Sequence, residues 1–187
     1  MTARPIVLAS SSPRRQYLMR EAGFEFTTEK PEVDESFPSD LPVEQVARYL
    51  AVKKAEYFRA NLRREIIVTA DTVVIVGDQI INKPADRAEA IHMLSVLSGK
   101  THLVMTGVCI LSEEKETSFD DTTEVTFRKL TSDEIEFYVD TYKPYDKAGA
   151  YGAQDFIGMI AIERIVGSYF NVMGLPIQKV YQQLKSW

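Results

Sequence analysis

A serine- and arginine-rich segment near the start of the chain combines residue types that bind anions. Ala9-Ser10-Ser11-Ser12-Pro13-Arg14-Arg15 follows an apolar stretch, and Ser12 with Pro13 is typical of a helix start. Free backbone N–H groups and the positive end of the helix dipole attract anions there, and the forked donors of arginine suit phosphate oxygens. Because two arginines in a first turn oppose the dipole, the pattern indicates a phosphate site. A solvent-facing pair after an ordinary capped helix start is the alternative.

A single carboxylate, Asp71, interrupts the apolar run Val68–Val74. An aspartate in such a strand loses hydration and must be paired, bound to metal or placed at an exposed strand end. Strand alternation puts Asp71 on one face with Ile67 and puts Thr72 on the other, so the strand must end or bulge here if both residues serve one site. A capping role at a turn is the alternative, and it is weakened because the nearest turn residue is Gly77.

Further charged candidates come from a helix, a loop and a hairpin end. Lys54 lies on an apolar helical stripe, so its side chain either reaches the rim or meets an anion, whereas Lys53 lies off the stripe and is expected to be solvated. The acidic run Glu32–Glu35 could supply a carboxylate to a hard cation such as Mg²⁺, although such a loop is commonly just solvated. Lys83, directly after a predicted hairpin, is uninformative alone.

A polar loop with two glycines three residues apart, Asp146–Gln154, is the last candidate. Glycines allow a ligand to approach the backbone closely, but they also allow any tight turn. Gln154 can offer both a donor and an acceptor to the edge of a base. The loop is therefore weak evidence for a nucleotide site by itself.

The elements that must position these residues alternate between strands and helices. Strands are predicted over Ile6–Ala9, Phe24–Thr28, Ile66–Val76, Gln79–Ile81, Thr101–Leu111, Ser118–Leu130 and around Ile157–Val166. Helices are predicted over Ser12–Ala22, Pro42–Asn61, Asp86–Ser98, Thr131–Tyr142 and Pro176–Leu184. Because hairpins lie among strand–helix units, we expect an α/β fold whose sheet is mixed rather than purely parallel.

Composition excludes several classes of protein. The chain has 187 residues, of which 45% are hydrophobic and 26% are charged, so it fits one globular domain, or at most two small ones. The net charge of −5 disfavours nucleic acid as a partner, and no apolar run approaches the ~18 residues that span a bilayer. A single cysteine, Cys109, and a start too short for a signal peptide predict a reduced, cytoplasmic protein.

Taken together, these segments resemble the Maf family of nucleoside triphosphate pyrophosphatases over nearly the whole chain. The motifs occur in the family's order, and the ordered set is far more specific than any one of them. They are Ser10-Ser11-Ser12-Pro13-Arg14-Arg15, Asp34-Glu35, Lys54-Ala55, Ala70-Asp71-Thr72-Val73-Val74, Lys83-Pro84, Leu97-Ser98-Gly99 through Thr106-Gly107-Val108, Asp146-Lys147-Ala148-Gly149-Ala150-Tyr151-Gly152, Gly167-Ser168-Tyr169, Asn171-Val172 and Gly174-Leu175-Pro176. The resemblance implies an elongated α/β fold with a mixed sheet, flanking helices and two lobes around a central cleft, like the inosine triphosphate pyrophosphatases. It implies one domain over residues 1–187, without a linker.

The resemblance also implies an activity, the hydrolysis of a nucleoside triphosphate to the monophosphate and pyrophosphate, aided by Mg²⁺ or Mn²⁺. By the family's motifs, Asp71 resembles the proton acceptor that activates water, and Glu35 together with Asp71 resembles the metal-associated pair. Arg15, Lys54 and Lys83 resemble the family's catalytic cations, which bind the phosphates, and the further substrate-binding side chains are Ser10, Ser12 and Lys147. The residues that match the subgroup acting on dTTP and UTP are Arg14, Thr72 and Gln154.

Two other functions stay open within the resemblance. One is the same reaction on a methylated or non-standard purine triphosphate, and the other is a nucleotide-sensing regulator of septum formation. The presence of Asp71, Glu35 and Lys54 favours catalysis over sensing alone. The expected partner is the nucleoside triphosphate, with neither nucleic acid nor membrane, and a homodimer is left open.

Overall fold

The structure, a computed structural model, describes residues 4–187, within which strands and helices alternate along the chain. The strands are β1 (Ile6–Leu8), β2 (Thr27–Thr28), β3 (Ile66–Val76), β4 (Gln79–Ile81), β5 (Thr101–Leu111), β6 (Glu116–Phe127) and β7 (Ile162–Val166). The helices are α1 (Pro13–Glu21), α2 (Val43–Arg59), α3 (Arg87–Leu97), α4 (Ser132–Tyr142), α5 (Phe156–Ala161), α6 (Tyr169–Val172) and α7 (Ile177–Lys185). The glycine loop contains a short 3₁₀ helix, Ala148–Ala150.

The strands form one mixed sheet, which confirms the predicted α/β fold class. Their order is β2-β1-β3-β5-β6-β7, and β4 pairs with β3. β1 runs parallel to β2 and β3, whereas the β3–β4 and β6–β7 pairs are antiparallel. Leu8 lies opposite Val68 in the β1–β3 pair. This register places the serine- and arginine-rich segment after β1 beside the part of β3 that carries Asp71.

The chain divides into two compact units, the first of which contains the residues up to Thr72, Thr106–Asp121 and Gly174–Trp187. One part of its core is an apolar cluster of α2 and strand side chains: Val7, Ala9, Ala51, Ala55, Phe58, Ile67, Cys109 and Leu111. Helix α2 passes so close to β5 that a Cβ atom at Gly107 would lie 2.3 Å from the backbone of Ala47. The glycine is therefore required for this helix to pack on the sheet.

The second unit contains Val73–Met105 and Thr122–Met173. Its core includes a cluster of three buried rings, in which the His102 ring lies edge-on, 4.9 Å from Phe127 and 5.4 Å from Tyr151. His102 Nε2 hydrogen-bonds to the Tyr151 hydroxyl at 2.8 Å. Burial lowers the pKa of His102 to about 4, so its ring is neutral at pH 7. The histidine is therefore structural.

Helix α4 begins with a capping box. The Thr131 hydroxyl accepts the Glu134 backbone N–H at 3.3 Å, and the Glu134 carboxylate accepts the Thr131 N–H at 2.9 Å. Arg128 donates to the same carboxylate, and these hydrogen bonds lower the pKa of Glu134 to about 2. The start of α4 is thus fixed, which matters because α4 carries Tyr138.

The bounds of β2 and β6 differ from the predicted ones. β2 is only two residues long because the Phe24 N–H donates to the Met19 carbonyl at the end of α1. β6 begins at Glu116, not Ser118, and ends at Phe127, since the Leu130 N–H bonds the Ser98 hydroxyl.

The predicted strand around Ile157–Val166 is wrong in its first half. That segment forms α5 and only then β7. A short apolar run fits a buried strand and a buried helix equally, so its periodicity could not decide between them. The short helix α6 was not predicted at all.

Several expectations about organisation stay predictions. Residues 1–3, where the expected absence of a signal peptide partly falls, lie outside the described residues. One domain over 1–187, with two lobes around a cleft, stays a prediction. No helix within residues 4–187 is long and apolar enough to cross a membrane.

Candidate active site

Lys54 lies between two carboxylates. Its side chain projects inward from α2, only 11% exposed, and its Nζ lies 2.5 Å from Asp71 Oδ1 and 2.8 Å from Glu35 Oε1. The two oxygens are therefore at most about 5.3 Å apart, the sum of those distances. Of the two alternatives for this lysine, the structure has the one in which it meets anions. Because a buried cation needs a partner, the pair of carboxylates explains its place on the apolar stripe.

Asp71 faces α2, on the side of β3 that strand alternation predicts. Thr69, two residues earlier, points the same way and donates to the Ala51 carbonyl of α2 at 2.7 Å. The Asp71 side chain is 13% exposed, and β3 continues past it to Val76. The strand therefore does not end at this position, and of the two conditions for Asp71 and Thr72 to serve one site, a bulge stays a prediction. The carboxylate tolerates its apolar strand because Lys54 is its partner.

The acidic loop before α2 is held in a defined conformation. Asp34 accepts hydrogen bonds from the Ser36 N–H at 3.1 Å and from the Ser36 hydroxyl, and these bonds lower the pKa of Asp34. Lys53 Nζ donates to the Ser36 carbonyl at 2.8 Å. Lys53 is more exposed than Lys54, as predicted, but its hydrogen bond was not foreseen, and consecutive lysines of α2 thus hold consecutive parts of the loop that carries Glu35.

The start of α1 leaves its backbone donors without a side-chain cap. Ser12 occupies the N-cap position, but within the described part of the chain its side chain makes no capping hydrogen bond, and the first turn has no acidic residue. The buried Ser10 hydroxyl accepts the Ser12 N–H at 3.2 Å. Arg14 is half-buried in this turn. These are the properties expected where an anion binds a helix start.

Arg15 connects α1 with the end of the first unit's part of β3. Its guanidinium donates to the Gly174 and Ala70 carbonyls, both at 2.8 Å, and to Thr72 Oγ1 at 3.0 Å. A weaker bond reaches the Ser10 hydroxyl at 3.4 Å. Burial lowers the pKa of Arg15, and the charge of Asp71 opposes that change. The charge of Asp71 therefore acts on Arg15, although the guanidinium bonds to the side of β3 that carries Thr72.

The remaining predicted residues belong to the second unit. Lys83 is exposed directly after β4, and Gln154 is exposed in the glycine loop. Lys147 is 12% exposed and pairs with Asp146 at 2.8 Å and with Asp155 at 3.7 Å. That these three residues share one site with Asp71 stays a prediction.

Three residues that contact predicted site residues or the loops that carry them were not proposed as site residues from the sequence. Thr106, fully buried in β5, has its hydroxyl 2.9 Å from that of Thr72. Lys53 holds the acidic loop, as described above. Tyr138 contacts the glycine loop through its hydroxyl. Thr106 could have been found from the sequence, because it is a polar residue in an otherwise apolar strand. No local pattern in the sequence indicates the contacts of Lys53 or of Tyr138.

The carboxylates at Lys54 suit a hard divalent cation. Within residues 4–187 no group of three or more histidine, cysteine, aspartate or glutamate side chains is arranged to hold a metal. Mg²⁺, however, commonly takes only one or two carboxylates and completes its octahedron with water and substrate phosphate. Glu35 and Asp71 converge on one cationic group, so their oxygens present the charge and donor type that such an ion requires.

The fold and these motifs define a protein of the Maf family. Residues 5–187 match the family model described as "Maf-like protein", so the chain belongs to that family. A relative from Bacteroides fragilis (strain YCH46), named dTTP/UTP pyrophosphatase, is 48% identical over 96% of this chain and 94% of its own. A relative from Porphyromonas gingivalis (strain ATCC 33277) bears the same name and is 46% identical over 97% of this chain and 94% of its own.

Solved structures of similar fold come from a more distant group. A HAM1 protein from Coxiella burnetii has a TM-score of 0.55 at 14% identity, covering 98% of this chain and all of that one. The Staphylococcus aureus Ham1 protein has a TM-score of 0.56 at 16% identity, covering 98% and 99%. At this identity the likeness shows the fold alone.

Proposed function

We propose that the protein is a nucleoside triphosphate pyrophosphatase that hydrolyses dTTP and UTP to the monophosphate and pyrophosphate. The observation that carries the proposal is the Lys54-centred pair of carboxylates, Asp71 and Glu35. Relatives named dTTP/UTP pyrophosphatase, 46–48% identical over nearly the whole chain, support the choice of substrates.

In the proposed mechanism Asp71 is the general base. Lys54 donates a hydrogen bond to the Asp71 carboxylate and orients it, and a base needs a fixed orientation in order to accept a proton from water. The water oxygen bonds to the α-phosphorus, the bond from that phosphorus to the α–β bridging oxygen breaks, and pyrophosphate leaves with the electron pair. Proton abstraction of this kind contributes on the order of 10²–10⁴-fold to a rate.

Glu35 and Asp71 are the residues that would hold Mg²⁺ or Mn²⁺. Such an ion polarises phosphate oxygens and makes water more acidic. Since Lys54 Nζ contacts the same two oxygens in the structure, its ammonium group can balance their charge before a metal–nucleotide complex arrives. Lys54 is then well placed to turn to a phosphate oxygen of the substrate.

The phosphate tail is proposed to meet the uncapped start of α1 and the cations around it. An acidic protein holds a triphosphate only where positive groups are concentrated. The proposed ligands are Ser10, Ser12, Arg14, Arg15, Lys83 and Lys147. Arg15 already bonds three backbone or hydroxyl groups strongly, so it contributes mainly charge and the position of its neighbours.

Base selection is assigned to Arg14, Thr72 and Gln154. The Thr72 hydroxyl is fixed by Arg15 and Thr106, and a fixed hydroxyl discriminates better than a rotating one. A reducing, cytoplasmic location fits the only cysteine, Cys109, since burial raises the pKa of its thiol to about 12 and makes it unreactive. A homodimer stays a prediction.

The test is the identity of the first product. Purified protein with Mg²⁺ or Mn²⁺ is incubated with UTP or dTTP in ¹⁸O-labelled water, and the products are separated by ion chromatography. We expect pyrophosphate, together with a monophosphate that carries the label. Orthophosphate as the first product, or no release from either nucleotide, would refute the proposal. Asp78→Asn, an exposed aspartate in the β3–β4 turn, is the matched control and should retain activity.

A further inference from the structure

The glycine loop ends in a tight turn that is held by one buried hydroxyl. The Asp155 N–H donates to the Gly152 carbonyl at 3.0 Å, which closes a four-residue turn with Gln154 at its third position. The Tyr138 hydroxyl of α4 accepts the Gly152 N–H at 3.2 Å and donates to Asp155 Oδ2 at 2.9 Å. A single group therefore holds both ends of the turn.

The Asp155 carboxylate is used in an unusual way. Asp155 occupies the N-cap position of α5, yet within the described residues its side chain makes no capping hydrogen bond. Its Oδ2 instead contacts Tyr138 and lies 3.7 Å from Lys147 Nζ. A Cβ atom at Gly152 would lie 2.5 Å from that oxygen, so only glycine allows the carboxylate to close in on the turn. The Asp155 carboxylate thus contacts Tyr138 and not the free N–H groups at the start of α5, which an aspartate at this position normally caps.

Tyr138 is suited to be the donor. It is completely buried, and its ring stacks on Tyr142 at 5.1 Å. Burial raises the pKa of Tyr138, and the charge of the neighbouring Asp155 raises it further. The hydroxyl therefore keeps its proton. The Gln154 side chain is exposed, which means that its placement depends on how firmly its backbone is held.

We propose that Tyr138 is a positioning residue that fixes Gln154 and thereby sets the base selectivity of the enzyme. The inference rests on the proposed function, in which Gln154 reads the base edge. An amide discriminates a 4-oxo from a 4-amino pyrimidine only when its donor and acceptor lie within hydrogen-bond distance. A turn free to shift by about 1 Å loses that discrimination. Tyr138 acts through the turn and does not itself touch the substrate.

The first test is Tyr138→Phe, which keeps the buried ring and removes the hydroxyl. The measured quantity is the ratio of kcat/KM for UTP to kcat/KM for CTP. We expect this ratio to fall about tenfold, the size of one lost discriminating hydrogen bond. Tyr142→Phe removes a hydroxyl from the partly exposed neighbour on the same helix and should leave the ratio unchanged.

Two further comparisons separate positioning from a general loss of stability. Asp155→Asn keeps an acceptor for Tyr138 and should keep the ratio within about twofold, whereas Asp155→Ala should lower it as much as Tyr138→Phe does. In a Gln154→Ala background, Tyr138→Phe should change the ratio no further, because the residue that it positions is gone. A merely structural role would instead lower kcat/KM for both nucleotides alike.

The outcomes distinguish failure of this inference from failure of the proposed function. If wild-type protein releases pyrophosphate from UTP and Gln154→Ala lowers the ratio, but Tyr138→Phe does not, the positioning role is refuted and the function stands. Independent effects of the two substitutions in the double variant would refute it equally. If the wild-type protein does not hydrolyse UTP or dTTP, the proposed function itself fails.

Discussion

Replacing Lys54 by methionine removes the cation at the centre of the candidate site. Its Nζ lies 2.5 Å from Asp71 and 2.8 Å from Glu35, and the Asp71 side chain is only 13% exposed. The variant therefore leaves a nearly buried carboxylate unpaired beside a second one. Removing one partner of a buried ion pair costs about 3–5 kcal/mol, and the 51% exposure of Glu35 places this case near the lower value. We expect the free energy of unfolding to fall by about 3 kcal/mol, which lowers Tm by roughly 6–12 °C.

The assay is urea unfolding at pH 7 in EDTA, followed by circular dichroism. Lys53→Met is the matched control, since that lysine is adjacent on α2 but pairs with an Asp34 side chain that is 76% exposed. It should cost less than about 1 kcal/mol. Equal losses in the two variants, or a loss below about 1 kcal/mol for Lys54→Met, would show that Lys54 does not compensate a buried charge.

A metal arm of the same experiment extends the test. The carboxylate pair in Lys54→Met lacks its ammonium group, so a divalent cation has more unbalanced charge to neutralise than in the wild type. Ligands that bind only the folded state raise its stability. Added Mg²⁺ should therefore recover more unfolding free energy in the variant than it adds to the wild-type protein. If Mg²⁺ raised the unfolding free energy of both proteins by the same amount, the ion would bind away from Glu35 and Asp71.

Three other predictions concern catalysis, pH and packing. Asp71→Asn should lower turnover of UTP by at least about 10²-fold while nucleotide affinity, measured by calorimetry, changes little; undiminished turnover would remove Asp71 from the base role. The pKa of His102 falls from 6.5 unfolded to about 4 folded, so the unfolded chain binds the extra proton and stability is lost as pH falls through that window. The loss is up to about 3 kcal/mol, and His102→Gln should flatten the dependence between pH 6.5 and 4; an unchanged slope would contradict the assignment. Gly107→Ala should lower unfolding free energy by about 3 kcal/mol, because the new methyl group would meet the backbone of α2, and calorimetric stability equal to wild type would disprove that contact.

Local patterns predicted the elements whose signals are strong. The β3–β4 hairpin, α2, α3 and the capping box of α4 lie where residue types and periodicity put them. The errors occurred where two structures satisfy one pattern, as in the apolar run that forms α5 and then β7. A short apolar segment buries equal surface as a helix or a strand, so only tertiary packing decides.

For the site, the sequence indicated unusual residues but not their partners. Asp71 and Lys54 were each singled out because a charge in an apolar pattern needs a counterpart, and the structure makes them each other's partner. The hydrogen bond of Lys53 was not predicted because its acceptor is a backbone carbonyl, which residue types do not reveal. Tyr138 was missed for the same reason, since one of its two bonds is to a backbone N–H fourteen residues away.

The two arginines of α1 show why a charge pattern does not define a role. From the sequence, both oppose the helix dipole and so both indicate an anion. In the structure Arg15 makes four hydrogen bonds to protein acceptors, out of the five N–H donors that a guanidinium has. The positive charge of Arg15 is thus held by the carbonyls of Ala70 in β3 and of Gly174. The anion expected at this helix start is therefore indicated by Ser12, whose side chain makes no capping hydrogen bond within the described residues, and a lysine at position 15 would keep the charge but lose the fork that joins α1 to Thr72.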